Sequence, residues 1–93
     1  MLYHGTVARF LDSIRASGLE KRSRQYVHLC ATEETARRVG ARRGKPVVLL
    51  VDAERMHEGG YLFYLSASGV WLTDAVPPSY LAGLGDVPGP REP

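Results

Sequence analysis

The sequence predicts an α+β domain of several short strands and two short helices, and three observations carry that prediction. Val47 to Val51 is an unbroken apolar run, rich in β-branched residues, behind Pro46, the pattern of a central strand covered on both faces. Phe10, Leu11 and Ile14 recur at helical spacing ahead of Gly18, as in an amphipathic helix stopped by glycine. Thr32 precedes Glu33 and Glu34, with Arg37, Arg38, Arg42 and Arg43 further along. That is an N-cap followed by the charge order a helix dipole favours.

In chain order, Leu2 to His4 reads as the first strand, ended by Gly5-Thr6. The first helix is expected from Ala8 to Ser17, with Gly18 as a left-handed cap. Lys21 to Arg24 is polar and loop-like, and Tyr26 to Leu29 is a short strand of β-formers. The second helix starts after Thr32 and closes at Gly44. Beyond the central strand, Glu54 to Gly60 reads as a turn or one short helical turn. Tyr61 to Leu65 and Val70 to Leu72 read as a hairpin about the loop Ser66 to Gly69. Pro77-Pro78 breaks the chain, and Tyr80-Leu81 is a last strand or a docking anchor. The folded unit is therefore placed at 1–81, and residues 82–93, rich in Gly and Pro, are expected to be a flexible tail.

The chain has 93 residues, room for one domain with a small core. One cysteine excludes an internal disulfide and fits a reducing compartment. No segment approaches the roughly 20 apolar residues a transmembrane helix needs, so a cytoplasmic protein with no membrane partner is expected. The net charge of +2 is unevenly spread: residues 21–45 hold eight of the twelve basic side chains against two glutamates. Ten of the twelve are arginines, whose planar fork pairs with phosphate oxygens. The segment therefore suits a phosphorylated partner or a nucleic acid, although arginines on a solvated helix face are also ordinary.

Two histidines sit at strand positions. His4 is followed by Gly5 and Thr6, where backbone groups, an imidazole and a hydroxyl can meet a flat ligand or a ribose. His28 alternates with Val27 and Leu29, placing it on the polar face of its strand. Taken alone, the tripeptide is more often a turn, and a strand histidine more often a core or edge residue. His4, His28, His57 and Cys30 lack the close spacings of zinc sites, so no metal is expected.

Leu-Tyr-His-Gly-Thr at 2–6, Arg-Gln-Tyr-Val-His-Leu at 24–29, Gly-Lys-Pro-Val-Val-Leu at 44–49, Phe-Tyr at 63–64, Gly-Val-Trp-Leu-Thr-Asp at 69–74 and Val-Pro-Pro at 76–78 occur together and in order. In this, the chain resembles the catalytic lobe of the KptA-type RNA 2′-phosphotransferases over residues 2 to about 81. The resemblance implies a small split β-sheet fold of the ADP-ribosyltransferase kind, binding NAD in an extended cleft. It assigns cofactor contacts to His4, Gly5, Thr6, His28, Tyr64 and Val70, and catalytic roles to Arg24 and His28. Val70 would stand where many protein-modifying relatives carry a catalytic glutamate. The substitution is chemically reasonable, since a phosphate acceptor is already an anion and needs no general base; it needs cations, and the family pattern points to Arg24. The implied reaction moves an RNA 2′-phosphate to NAD, releasing nicotinamide and then ADP-ribose 1″,2″-cyclic phosphate, as in RNA processing.

Several family features have no counterpart in this chain. An Arg-His pair in an N-terminal RNA-binding lobe and an Arg just before the first strand are absent, so an upstream lobe or a separate chain would have to supply them. Cys30 replaces a usual Ser, and Ser68 a usual Asn. Beside the phosphotransferase reading stand two others: an ADP-ribosyltransferase with a different acceptor, such as a terminal phosphate, a small molecule or a protein, and a non-catalytic module that binds NAD or RNA. The absence of a Glu-x-Glu pair counts against protein modification.

Overall fold

Residues 1–83 are described in the computed structural model, and their organisation follows from how the apolar strands find partners. β1, Leu2–Val7, runs antiparallel to β4, Pro46–Val51, with His4 opposite Leu49 and Gly5 opposite Val48. Leu81–Ala82 pairs on the other edge of β4, so the apolar run is the central strand, as expected. The first strand was expected to stop at His4. It continues through Gly5 and Thr6 to Val7, because each of these residues has a partner on β4.

Gly5 is required by what crosses the strand. The helix over Glu33–Ala41, here α2, buries Ala36 and Gly40 against β1. A Cβ on Gly5 would lie 1.8 Å from the Ala36 carbonyl oxygen, and one on Gly40 would lie 2.8 Å from that of Thr6. Paired small residues thus let helix backbone rest directly on strand backbone. Thr32 caps α2 as predicted, its Oγ1 accepting from the Thr35 N–H at 3.2 Å. The helix ends at Ala41 rather than Gly44; Gly44, with φ 144°, belongs to the link into β4.

Other boundaries shift for local reasons. The expected helix from Ala8 opens as a 3-10 turn, Ala8–Phe10, before α1, Leu11–Ser17. Gly18 has the positive φ expected, 77°, but its ψ of −165° is extended rather than left-handed helical. It leads into β2, Leu19–Glu20, which pairs with β7, Ala75–Val76. Among the described residues there are three α-helices instead of two, because Asp52 accepts from the Arg55 N–H at 3.2 Å and caps α3, Ala53–Glu58. Closing that helix takes the Tyr61 N–H to the Met56 carbonyl. The expected strand 61–65 therefore shortens to β5, Tyr64–Leu65.

A second three-stranded sheet, in the order β3-β6-β5, is built from β3, Val27–Leu29, β6, Trp71–Thr73, and β5. Its hairpin closes as predicted, with the Ser66 N–H bonded to the Val70 carbonyl at 2.8 Å and Gly69 at φ 89°. Leu29 from this sheet, Leu49 and Val51 from the first and Met56 from α3 share one core, each 0% exposed. Ala82 lies in the last strand, β8, and the rest of the expected tail, 84–93, lies outside the described residues. No helix among them is long and apolar enough to cross a membrane.

Candidate functional site

The two sheets meet along β1 and β3, whose backbones pair at one isolated bridge. The Tyr3 and Cys30 backbones exchange hydrogen bonds of 2.9 and 2.7 Å, and no further ladder position between the strands forms. Alternation then decides what faces the gap. Backbone groups two residues from a bridged residue point the same way, so the N–H and C=O of Gly5 and of His28 are directed toward the space where the strands part.

His4 closes part of that space. Its Nδ1 lies 3.2 Å from the His28 carbonyl oxygen. A carbonyl can only accept, so His4 carries its proton on Nδ1 and leaves a lone pair on Nε2. His28 is arranged in the opposite sense: Nδ1 lies 2.8 Å from a guanidinium nitrogen of Arg24. Because guanidinium can only donate, His28 Nδ1 accepts and Nε2 holds the proton. The pair therefore offers one imidazole acceptor and one imidazole donor.

Both assignments require neutral rings, and the surroundings favour them. Burial, chiefly, lowers the His4 pKa below the usual 6.5, helped by the positive charges of Arg43 and Arg24, and only partly offset by its bond to the His28 carbonyl. The His28 pKa is lowered by burial and by Arg24. No carboxylate is among the groups acting on either histidine. The pKa of the half-buried Cys30 thiol is pushed up by burial, which lowers its thiolate fraction.

The cations around this pair are not all of one kind. Arg37 and Arg38 bond Glu33 and Glu34 one turn away on α2, so much of the basic segment is internally compensated on a solvated face. Lys21 is held by Asp74 and Arg22 donates to Ser13. By contrast, among the described residues Arg24 and Arg43 have no carboxylate partner. Arg43 stacks against Phe10 at 5.8 Å with Arg9 at 4.8 Å from the same ring, and Arg9 donates to the Arg43 carbonyl. His4 thus lies within the field of Arg24 and of Arg43.

The other expected site residues are placed unequally. Tyr64 is opposite Leu72, which is opposite His28, so the three share one face of the second sheet, and Val70 joins that face by alternation. The Tyr64 ring is 49% exposed and tilted against Tyr26 at 5.7 Å. Gly5 is not the strand-ending turn expected of it; its Cα is covered by α2 and only its edge groups face the gap. Thr6 is 5% exposed, and its backbone lies under Gly40, away from the open cleft. Arg43 and Tyr26 are additions that sequence reading did not single out. Arg43 is 39 positions from His4 with no motif linking them, whereas Tyr26 follows Arg24 closely enough that an aromatic beside an arginine was a usable signal. Among the described residues, no three His, Cys, Asp or Glu side chains gather as metal ligands would.

The chain is similar to proteins of one family. The family described as RNA 2′-phosphotransferase, Tpt1 / KptA, matches residues 1–75. Over 80 residues the chain is 62% identical to a probable RNA 2′-phosphotransferase of Rhodopirellula baltica, covering 86% of this chain and 44% of that protein. A protein of the same description from Streptomyces griseus is 61% identical over 80 residues, covering 86% and 42%. Another, from Hahella chejuensis, is 54% identical over 87 residues, covering 94% and 47%. The chain spans less than half the length of these relatives.

Proposed function

Because the chain belongs to the RNA 2′-phosphotransferase, Tpt1 / KptA family, we propose that it forms the NAD-binding part of an enzyme that removes a 2′-phosphate from RNA. One observation carries this reading. Two neutral histidines of opposite hydrogen-bonding sense lie in the field of arginines, with no carboxylate acting on either. A site of that kind cannot deprotonate a neutral acceptor through a carboxylate, but it suits an acceptor that arrives already charged.

The residues present fit a dinucleotide. His4 offers an Nε2 lone pair to a ribose hydroxyl, and the open edge groups of Gly5 can bond a carboxamide. NAD would supply the ribose carbon from which nicotinamide departs. Arg24, held by its bond to His28, is placed to receive the acceptor phosphate and to reduce repulsion between it and the dinucleotide. His28 fixes Arg24 at Nδ1 and keeps an Nε2–H for an anionic or hydroxyl oxygen. Arg43, whose charge acts on His4, would compensate a pyrophosphate. Binding of RNA should weaken with salt in proportion to the phosphates engaged.

The test separates the two halves of the site. His4→Ala should weaken NAD binding, measured by calorimetry, whereas Arg24→Ala should leave it within about twofold of the parent. With NAD and a short RNA bearing one internal 2′-phosphate, Arg24→Ala should lose transfer, read by the mass of the RNA. If both variants match the parent in binding and in turnover, the assignment is wrong.

A further inference from the structure

Beside Arg24 lies a cavity that neither histidine lines. It measures about 580 Å³ and opens between the segment before β3 and the segment before β5, with Gln25, Tyr26, Tyr61, Tyr64, Lys21 and Asp74 in its wall. Its volume falls within the usual range of small-ligand sites. We propose that this cavity seats a nucleobase of the RNA, at or next to the nucleotide whose 2′-phosphate Arg24 receives; the inference rests on the function proposed above.

The lining chemistry favours a base over a sugar or a phosphate. Three tyrosine rings are held in place before any ligand arrives: Tyr26 and Tyr64 against each other at 5.7 Å, and Tyr61 against Tyr80 at 5.6 Å. Aromatic rings of this kind take unstacked bases, which present a π-face whatever their identity. The charged residues in the wall, Lys21 and Asp74, bond each other at 2.6 Å, so the cavity has no uncompensated charge to draw a phosphate inward. Gln25 is exposed, with an amide that both donates and accepts, the functionality that reads a base edge. The floor is also fixed, since Thr73 Oγ1 donates to the Leu62 carbonyl at 2.8 Å.

Position favours RNA over the dinucleotide. Gln25 and Tyr26 directly follow Arg24, so at most about 7 Å of chain separates the phosphate-holding residue from the base-stacking one. Of the residues the resemblance assigns to the cofactor, Tyr64 lines the cavity, whereas His4, Gly5, Thr6, His28 and Val70 do not; Arg24 adjoins it through Gln25 and is not itself in the wall. An acceptor anchored at Arg24 therefore reaches it more directly than a ligand anchored at His4.

The test uses a trinucleotide RNA with an internal 2′-phosphate, together with three versions each lacking one base, titrated calorimetrically against the chain, Tyr26→Ala, Gln25→Ala and Arg24→Ala. Removing one of the three bases should weaken binding to the parent about tenfold. Tyr26→Ala should bind that abasic RNA and the intact RNA alike. Gln25→Ala, at an exposed position, should keep the stacking effect and lose preference among bases, which guards against a folding defect in the tyrosine variant. Arg24→Ala should weaken every RNA by a common factor. If binding requires the 2′-phosphate and Arg24 yet ignores all three bases, the base seat is refuted and the function reading stands. If Tyr26→Ala alters NAD binding and not RNA binding, the cavity belongs to the dinucleotide and the proposal fails. If no RNA binds better than its counterpart without the 2′-phosphate, the function reading falls with it.

Discussion

Substituting Gly5 by alanine tests whether that glycine serves the fold or the ligand. The added Cβ would lie 1.8 Å from the Ala36 carbonyl oxygen, 2.7 Å from its carbon and 2.9 Å from the Gly40 nitrogen. Ordinary contact begins near 3.4 Å, so α2 must move off β1 by about 1.6 Å, the difference between the two values. All three atoms are backbone, and no rotamer change relieves them. Overpacking costs about 1–3 kcal/mol where side chains can adjust, and the upper end applies here. At roughly 4–8 °C per kcal/mol for a domain of this size, about 3 kcal/mol lowers the melting temperature by about 12–24 °C. Gly60→Ala is the control: its φ is 98° with nothing within 4 Å, so only the left-handed backbone penalty of about 1–2 kcal/mol applies. Thermal unfolding followed by circular dichroism decides between them. A Gly5→Ala variant that melts at or above Gly60→Ala would refute the packing argument; if it also failed to bind NAD, the glycine would belong to the ligand.

Two more outcomes follow from the site and the core. Since both histidines have folded pKa values below the usual 6.5, the unfolded chain binds more protons just below that pH, and the stability they contribute is complete above about 6.5 and declines as the pH falls toward the depressed values. Urea midpoints measured from pH 7.5 down to 5 should show that decline, and His4→Gln should flatten it; an equal slope in both proteins would remove His4 from the account. Turnover should likewise have an acid limb with its midpoint below 6.5. Leu29, 0% exposed between the sheets, should cost about 2–5 kcal/mol on truncation to alanine, read as the change in unfolding free energy; a loss under 1 kcal/mol would mean that the sheets do not close over it.

What the sequence disclosed depended on the range of the forces involved. The Thr32 cap, the Val47–Val51 strand and the Ser66–Gly69 loop rest on neighbours within a few residues, and all three were legible. β2 and β7 have two residues each and exist only because a distant segment supplies a partner, so no local pattern announces them; β8, Leu81–Ala82, overlaps the Tyr80-Leu81 segment read as a last strand or a docking anchor. Asp52 was passed over as an N-cap because it closes an apolar strand as readily as it opens a helix. The same division holds at the site. His4 and His28 stood out through motif resemblance, but their opposite tautomers depend on a carbonyl and a guanidinium brought together by folding. Arg43 joined the site through α2 packing on β1, which the Gly5 and Gly40 positions explain in retrospect.

The single bridge between Tyr3 and Cys30 has a mechanical consequence. Within each sheet, sliding one strand past its neighbour would break several hydrogen bonds in step, so those registers are stiff. Between β1 and β3 the connection is two backbone hydrogen bonds, the bond from His4 Nδ1 to the His28 carbonyl and a layer of aliphatic side chains, and such a layer yields by fractions of an ångström without losing its contacts. The width of the cleft is thus held by fewer hydrogen bonds than the register within either sheet, while the positions of His4 and His28 along their own strands are set by their ladders. Molecules of different thickness can enter the same opening and still meet the same two imidazoles at the same height.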